Sequence, residues 1–152
     1  MHKKYKLVYF VNTDWFFISH RMPLAMAALD KGYEVHLVVN ELTKKKKLED
    51  SGLIPHHIQL NRKDWNPIEF ISAVLKFTLL IRKLKPNLIH CITIKPVIIG
   101  TISSLIVKST KVVLSITGLG SVFTNNSLTD KLKQFILIQL FKLIFIKKAI
   151  RV

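Results

Sequence analysis

The strict alternation of strand-like and helix-like segments constrains this chain more than any other feature of its sequence. Residues 5–11 are almost wholly apolar, β-branched or aromatic, and turn residues follow, so they read as a buried strand. Over residues 19–31 the spacing turns helical, with Met22, Ala25, Met26 and Leu29 on one face, Pro23 in the first turn and Gly32 as the stop. The same reading gives strands at 34–39, 54–60, 87–92 and 111–116. Helices fall at 43–51 (ending at Gly52), 67–85 (broken by Pro86), 95–108 and 128–148. Five strands separated by helices predict an α/β fold: a parallel sheet covered on both faces, with right-handed crossovers. Ile150, Arg151 and Val152 begin a further strand, which suggests most of one α/β domain, cut off early.

At 152 residues the chain has room for one domain with a sizeable core. Hydrophobic residues make up 49%, yet no apolar run reaches the roughly 18 residues a bilayer span requires. Lys95 and Pro96 interrupt 92–107, and Gln139 and Lys142 interrupt 135–146. The lysines before Leu7 imitate a signal peptide, but Asn12, Thr13 and Asp14 follow the short apolar stretch at once. A lone cysteine, Cys91, offers no disulfide framework and fits a reducing cytosol. The net charge of +15 calls for an anionic neighbour: nucleic acid, an acidic membrane surface or phosphorylated small molecules. Apart from Lys44–Lys47 the basic residues are scattered, and aromatics do not interleave with them, so nucleic acid ranks last.

In parallel sheets ligands bind beyond the carboxyl ends of the strands, which selects the loops at 12–20, 40–43, 61–66, 91–95 and 117–126. Their only acidic residues are Asp14, Glu41 and Asp64. Gly118-Leu119-Gly120 follows the fifth strand and lacks a third glycine, since Phe123 stands there; the first strand-to-helix turn has no glycine at all. Dinucleotide binding is therefore disfavoured, and the two glycines serve either a ligand or an ordinary turn. Ser19 is placed to cap a helix start, with His20 and Arg21 in its first turn against the helix dipole. That placement points to an anionic group nearby, to a partner such as Asp14, or to a surface pair without a role. His90 has no further ligands at metal-binding spacing, and the adjacent His56 and His57 point to opposite faces of a strand; no metal site is expected. His90 itself reads as a satisfied, partly buried histidine. The oily helix at 128–148 is either buried between the sheet and another element or rests on a membrane.

Taken together, Val11-Asn12-Thr13-Asp14-Trp15-Phe16-Phe17-Ile18-Ser19-His20-Arg21-Met22-Pro23-Leu24-Ala25, Gly32-Tyr33-Glu34-Val35, Leu88-Ile89-His90, Thr93-Ile94-Lys95-Pro96 and Thr117-Gly118-Leu119-Gly120-Ser121-Val122-Phe123 carry a resemblance. The chain resembles the N-terminal, acceptor-side domain of bacterial family 4 glycosyltransferases, whose members build capsule, O-antigen and lipid-linked oligosaccharides. The resemblance implies a GT-B fold of two Rossmann-like domains with the active site between them. It implies an acceptor saccharide carried on a polyprenyl diphosphate at the cytoplasmic membrane face. A nucleotide-sugar donor and the paired glutamates belong to a C-terminal domain that this sequence lacks. Transfer would be retaining and need no metal. Asn12, Thr13 and Asp14 would lie in the acceptor loop, with Ser19, His20 and Arg21 near the acceptor or its phosphates. His90, Thr93 and Lys95 would line the cleft after the fourth strand, and Thr117, Gly118, Leu119 and Gly120 would border it after the fifth. Thr117 stands where many relatives have a histidine. The expected protein is cytoplasmic, peripheral on the inner face of the plasma membrane, and poorly soluble and inactive as this chain alone. Three alternatives stay open: a gene fragment, half of a two-chain enzyme, and a non-catalytic basic module that binds membrane surfaces.

Overall fold

The computed structural model describes residues 4–61, 66–107, 110–116 and 150–151. The chain runs β1 (Lys6–Thr13), α1 (Asp14–His20), α2 (Met22–Asp30), β2 (Glu34–Glu41), α3 (Lys45–Asp50), β3 (Ile54–His57), α4 (Pro67–Leu84), β4 (Leu88–Ile92), α5 (Ile94–Val107), β5 (Lys111–Ser115) and β6 (Ile150–Arg151). All pairings are parallel and the strand order is β3-β2-β1-β4-β5-β6. The sheet therefore grows outward from β1 in one direction and then, beginning with β4, in the other. The expected Rossmann-like α/β sheet is present, and Ile150 and Arg151 pair with Val112 and Val113.

β1 is apolar along its length because both of its sides are covered, as a central parallel strand requires. Val8 and Phe10 join Val38, Phe77, Ile81, Ile89 and Ile99 in the core on one face of the sheet. Leu7, Tyr9 and Val11 join Phe17, Ala25, Leu37 and Leu48 in the core on the other. Phe10 stacks on Phe77 of α4 with ring centroids 4.4 Å apart. α4 is set by its ends: the Asn66 side chain accepts from the Ile68 and Glu69 amides, Pro67 opens the first turn, and Lys85 closes the helix in the left-handed region. α5 lies so close to β4 that a Cβ built on Gly100 would fall 2.1 Å from Cys91 Sγ.

One predicted element divides. In place of a single helix over 19–31, α1 begins at Asp14 and ends at His20, and α2 starts at Met22 after Arg21 adopts φ −128°. Pro23 explains the break, since its ring has no N–H and clashes with the carbonyl four residues back. The polar loop expected at 12–20 is thus the end of β1 followed by α1. The third strand is also shorter than predicted, ending at His57, although the Ile58 N–H still donates to Val39 O at 3.0 Å. The predicted helix at 128–148 lies outside the described residues.

Candidate functional site

The sheet changes direction between β1 and β4, and this is where an open α/β sheet leaves a crevice beyond its carboxyl ends. Phe10 stands beside Cys91 in register, so Asn12 and Thr93, each two residues further on, leave the two strands together. Thr93 sits at φ +75°, in a region that a β-branched residue rarely enters. Neighbouring backbone holds it there: its N–H donates to Ser115 O and its carbonyl accepts from Val97 N–H, both at 3.0 Å. Such a conformation costs on the order of 1–3 kcal/mol and persists only where its surroundings impose it, as they do at functional sites.

Four side-chain atoms are buried without a hydrogen-bond partner among the described residues: Asn12 Oδ1 and Thr93 Oγ1 at the carboxyl ends of β1 and β4, Arg21 Nε between α1 and α2, and Thr110 Oγ1 before β5. An unpaired buried polar atom costs about 1–3 kcal/mol, so Asn12 Oδ1 and Thr93 Oγ1, at the ends of two adjacent strands, make this edge a candidate for a ligand that completes their bonding. Arg21 also makes no ion pair among the described residues. Its charge reaches two groups on one face of the sheet. Burial raises the Tyr9 phenol above its ordinary value and Arg21 opposes that rise. Burial and then Arg21 push His90 down to about 4. Asn12 shares the parity of Phe10 on the opposite face, so the unpaired groups flank the strand ends from both sides.

His90 is thus neutral near pH 7; its Nε2 lies 2.7 Å from Ser115 Oγ and its ring 5.4 Å from that of Tyr9. It is the satisfied, partly buried histidine that the sequence suggested, available as a hydrogen-bonding wall and poorly suited to take up a proton. Cys91 is fully buried and its thiol is pushed far up by burial, so no thiolate is available. The chemistry open to this crevice is to bind and orient a polar ligand bearing hydroxyl or anionic groups. Among the described residues no three His, Cys, Asp or Glu side chains come together in a way that could hold a metal ion.

Several sequence-predicted residues have other duties. Ser19 does not cap a helix start: it lies in the last turn of α1 and its hydroxyl donates to Trp15 O (2.9 Å) and Phe16 O (3.2 Å). His20 stacks on Phe16 and sits at the carboxyl end of α1, where a cation is favoured, so its position requires no anion. Arg21 both closes α1 and precedes α2, so the two helix dipoles oppose each other there, and its unpaired Nε alone leaves room for an anion. Asp14 is not Arg21's partner. It is fully buried, and its carboxylate accepts from the Thr43 N–H (2.5 Å), the Lys44 N–H (2.6 Å) and the Thr43 hydroxyl (3.1 Å). It ties the loop after β2 to the end of β1, with the buried Thr13 beside it. Lys95 is 4% exposed, and its ammonium donates to the Asn61 carbonyl, fastening the loop after β3 to the first turn of α5. Thr117, Gly118, Leu119 and Gly120 lie outside the described residues. Ser115 and Tyr9 were not singled out from sequence, although a serine ending an apolar strand is a visible signal.

The comparisons with known proteins agree with this architecture. Among curated proteins none matches the sequence. Among solved structures, a glycosyltransferase from Rickettsia africae ESF-5 superposes with a TM-score of 0.62 at 14% identity, over 84% of this chain and 35% of that one. MurG from Acinetobacter baumannii gives 0.56 at 12% identity, over 74% and 34%. A UDP-N-acetylglucosamine 2-epimerase, described as putative, from Listeria monocytogenes gives 0.56 at 11%, over 89% and 38%. The chain therefore spans little more than a third of the length of these structures, and the likeness is one of fold: the Rossmann-like domain of GT-B proteins. The sequence itself is more specific, because residues 6–149 match the family described as Glycosyl transferase 4-like. That match takes in nearly the whole chain, β1 and the crevice included, and the chain belongs to this glycosyltransferase family.

Proposed function

We propose that this chain is the acceptor-side domain of a retaining glycosyltransferase that moves a sugar from a nucleotide-sugar to a lipid-linked saccharide in surface polysaccharide synthesis. The observation that carries the reading is the crevice at the β1/β4 switch, where Thr93 is held at φ +75°, Asn12 Oδ1 and Thr93 Oγ1 are buried without partners, and the charge of Arg21 acts on Tyr9 and His90 of the same two strands. Hydroxyls of a sugar suit Asn12 and Thr93, and a diphosphate linking that sugar to a lipid suits Arg21. The nucleotide-sugar is assigned to a donor-binding domain outside this chain, and the reaction is assigned no metal. The protein works in the cytoplasm against the inner face of the plasma membrane.

The test is transfer from a panel of nucleotide-sugars to a polyprenyl-diphosphate-linked saccharide. It is run with the chain alone and with the product of the adjoining downstream reading frame added. Activity confined to the mixture, with the KM for the acceptor raised by Arg21→Gln and that for the donor unchanged, is the expected result. Absence of transfer from the mixture, with both parts folded, would refute the reading.

A further inference from the structure

The edge strand β3 carries a histidine that meets a second one on β2. β3 is four residues long, and Pro55 at its second position has no N–H to give to a ladder. Its pairing with β2 is correspondingly short, from Ile54 beside His36 to His57 beside Val39, with the Ile58 N–H donating to Val39 O just beyond. A side-chain bond crosses the same two strands. His36 Nδ1 lies 2.9 Å from His56 Nε2, and the ring centroids are 5.2 Å apart. His36 shares the face of Val38, so the pair lies on the α4 side of the sheet. His36 is 3% exposed and His56 is half-buried.

The neighbours of the pair fix its hydrogens. The other ring nitrogen of His36, Nε2, lies 2.8 Å from Glu34 Oε1, and the Lys6 ammonium donates to the same oxygen at 3.1 Å. Lys6 above all keeps that carboxyl ionised and therefore an acceptor, so His36 Nε2 carries a hydrogen. With both rings neutral, the contact between them is a single hydrogen that His56 Nε2 donates to His36 Nδ1. One added proton leaves the contact intact: it rests on His56 Nδ1, or the shared hydrogen crosses and His36 becomes the imidazolium beside Glu34. A second added proton puts a hydrogen on both facing nitrogens, so the bond is lost and two cations confront each other. Lys83 of α4 adds a third positive charge acting on His56, whereas His57 is exposed and points to the opposite face. Burial, then His36, then Lys83 hold His56 below its ordinary value, so it takes up a proton more readily once β3 has left β2.

We propose that the His36–His56 pair is a proton-operated latch on the edge strand: it seats β3 against β2 while it carries at most one added proton, and a second releases the strand. The release reaches past β3. Ile58 and Leu60 continue it into the core that contains Phe77 of α4. Asn61, next in the chain, gives its N–H to Glu69 and its carbonyl to Lys95, two residues beyond Thr93. Acid therefore loosens the loop that fastens the first turn of α5 beside the crevice, whatever ligand the crevice takes.

Hydrogen exchange and imidazole nitrogen shifts, followed on the full chain from about pH 7.5 to about pH 5, test it. With rates corrected for the intrinsic effect of pH, protection of the Ile58 N–H and of residues 53–61 should fall about tenfold or more over that range. His56→Gln keeps a hydrogen-bonding group opposite His36 but cannot take the second proton, and its fall should be less than about threefold. The nitrogen spectra of the unaltered chain should show one hydrogen between His36 Nδ1 and His56 Nε2 before the fall and one on each nitrogen after it. Those spectra decide the matter even if the variant fails to fold. Three results would overturn the proposal: both facing nitrogens protonated while Ile58 keeps its protection, protection unchanged across the whole range, or the same loss in His56→Gln as in the unaltered chain.

Discussion

Replacing Thr93 by glycine should make the protein more stable and less active. A threonine at φ +75° carries roughly 1–3 kcal/mol of backbone strain that glycine does not feel. Against this, glycine adds about 0.5–1 kcal/mol of chain entropy to the unfolded state. The substitution also removes a buried hydroxyl that has no partner, a gain of about 1 kcal/mol. The balance is a stabilisation of about 1–3.5 kcal/mol, or roughly 2–14 °C in Tm for a domain of this size. Thr93→Val is the control, because it deletes the hydroxyl and keeps the branched Cβ in the same conformation; it should gain about 1 kcal/mol or less. Urea unfolding with an unchanged m-value measures both. If Thr93 Oγ1 holds the acceptor, sugar transfer by both variants in the presence of the donor domain falls about tenfold. A glycine variant less stable than the parent would refute the strain argument, and a stabilised variant with full transfer would remove Thr93 from the site.

Gly100→Ala should destabilise by about 1–3 kcal/mol despite the better helix propensity of alanine. Its Cβ would stand 2.1 Å from Cys91 Sγ, and adding Cys91→Ala should recover part of the loss in denaturant melts. Asp14→Ala strands the Thr43 and Lys44 amides and should cost about 2–4 kcal/mol. Asp14→Asn retains an acceptor oxygen and should cost less, the difference being read by thermal unfolding. His90, held near 4 in the fold against 6.5 in the unfolded chain, binds its proton more readily when unfolded. Its contribution is therefore fully present above pH 6.5 and is lost as pH falls towards 4, by about 2 kcal/mol after allowance for partial exposure. His90→Gln should flatten that part of the stability profile; His56, which burial, His36 and Lys83 depress, adds to the slope in the same direction, as does Glu34 at its acid end, held down chiefly by Lys6.

The sheet was legible because its central strands, covered on both faces, are short apolar runs closed by turn residues, whereas α5 carries a longer apolar run opened by Lys95 and Pro96. Pro67 and Pro86 bracketed α4 just as visibly. The stretch from Asp14 to His20 was not legible, since its polar residues and aromatics resemble a loop. Its start is fixed by contacts of Asp14 with Thr43 and Lys44, about 30 residues away, that no local pattern reveals. Arg21 stood out because cations are misplaced at helix starts, but it also closes α1, where a cation is favoured, so the dipole argument does not single it out. The φ of Thr93 was beyond reach, being imposed by Ser115 and Val97. Lys95 was expected to face the cleft from the family resemblance, and only the folded chain shows it buried with its ammonium committed to Asn61.

The two faces of the sheet also become coverable at different times during synthesis. Apart from Ile92, the core beneath α1, α2 and α3 is built from buried residues between Leu7 and Leu53. Val8, Phe10 and Val38, on the reverse of the same strands, wait for Phe77, Ile89 and Ile99. At about 5–20 residues per second, the 46 residues between Leu53 and Ile99 take roughly 2–9 s to emerge. The nascent β1–β2 pair therefore passes through a half-clothed stage, with an oily reverse side that invites a chaperone or a neighbouring chain. Chains stalled soon after Leu60 should be recognised by such holders, and chains stalled beyond Leu114 should escape them.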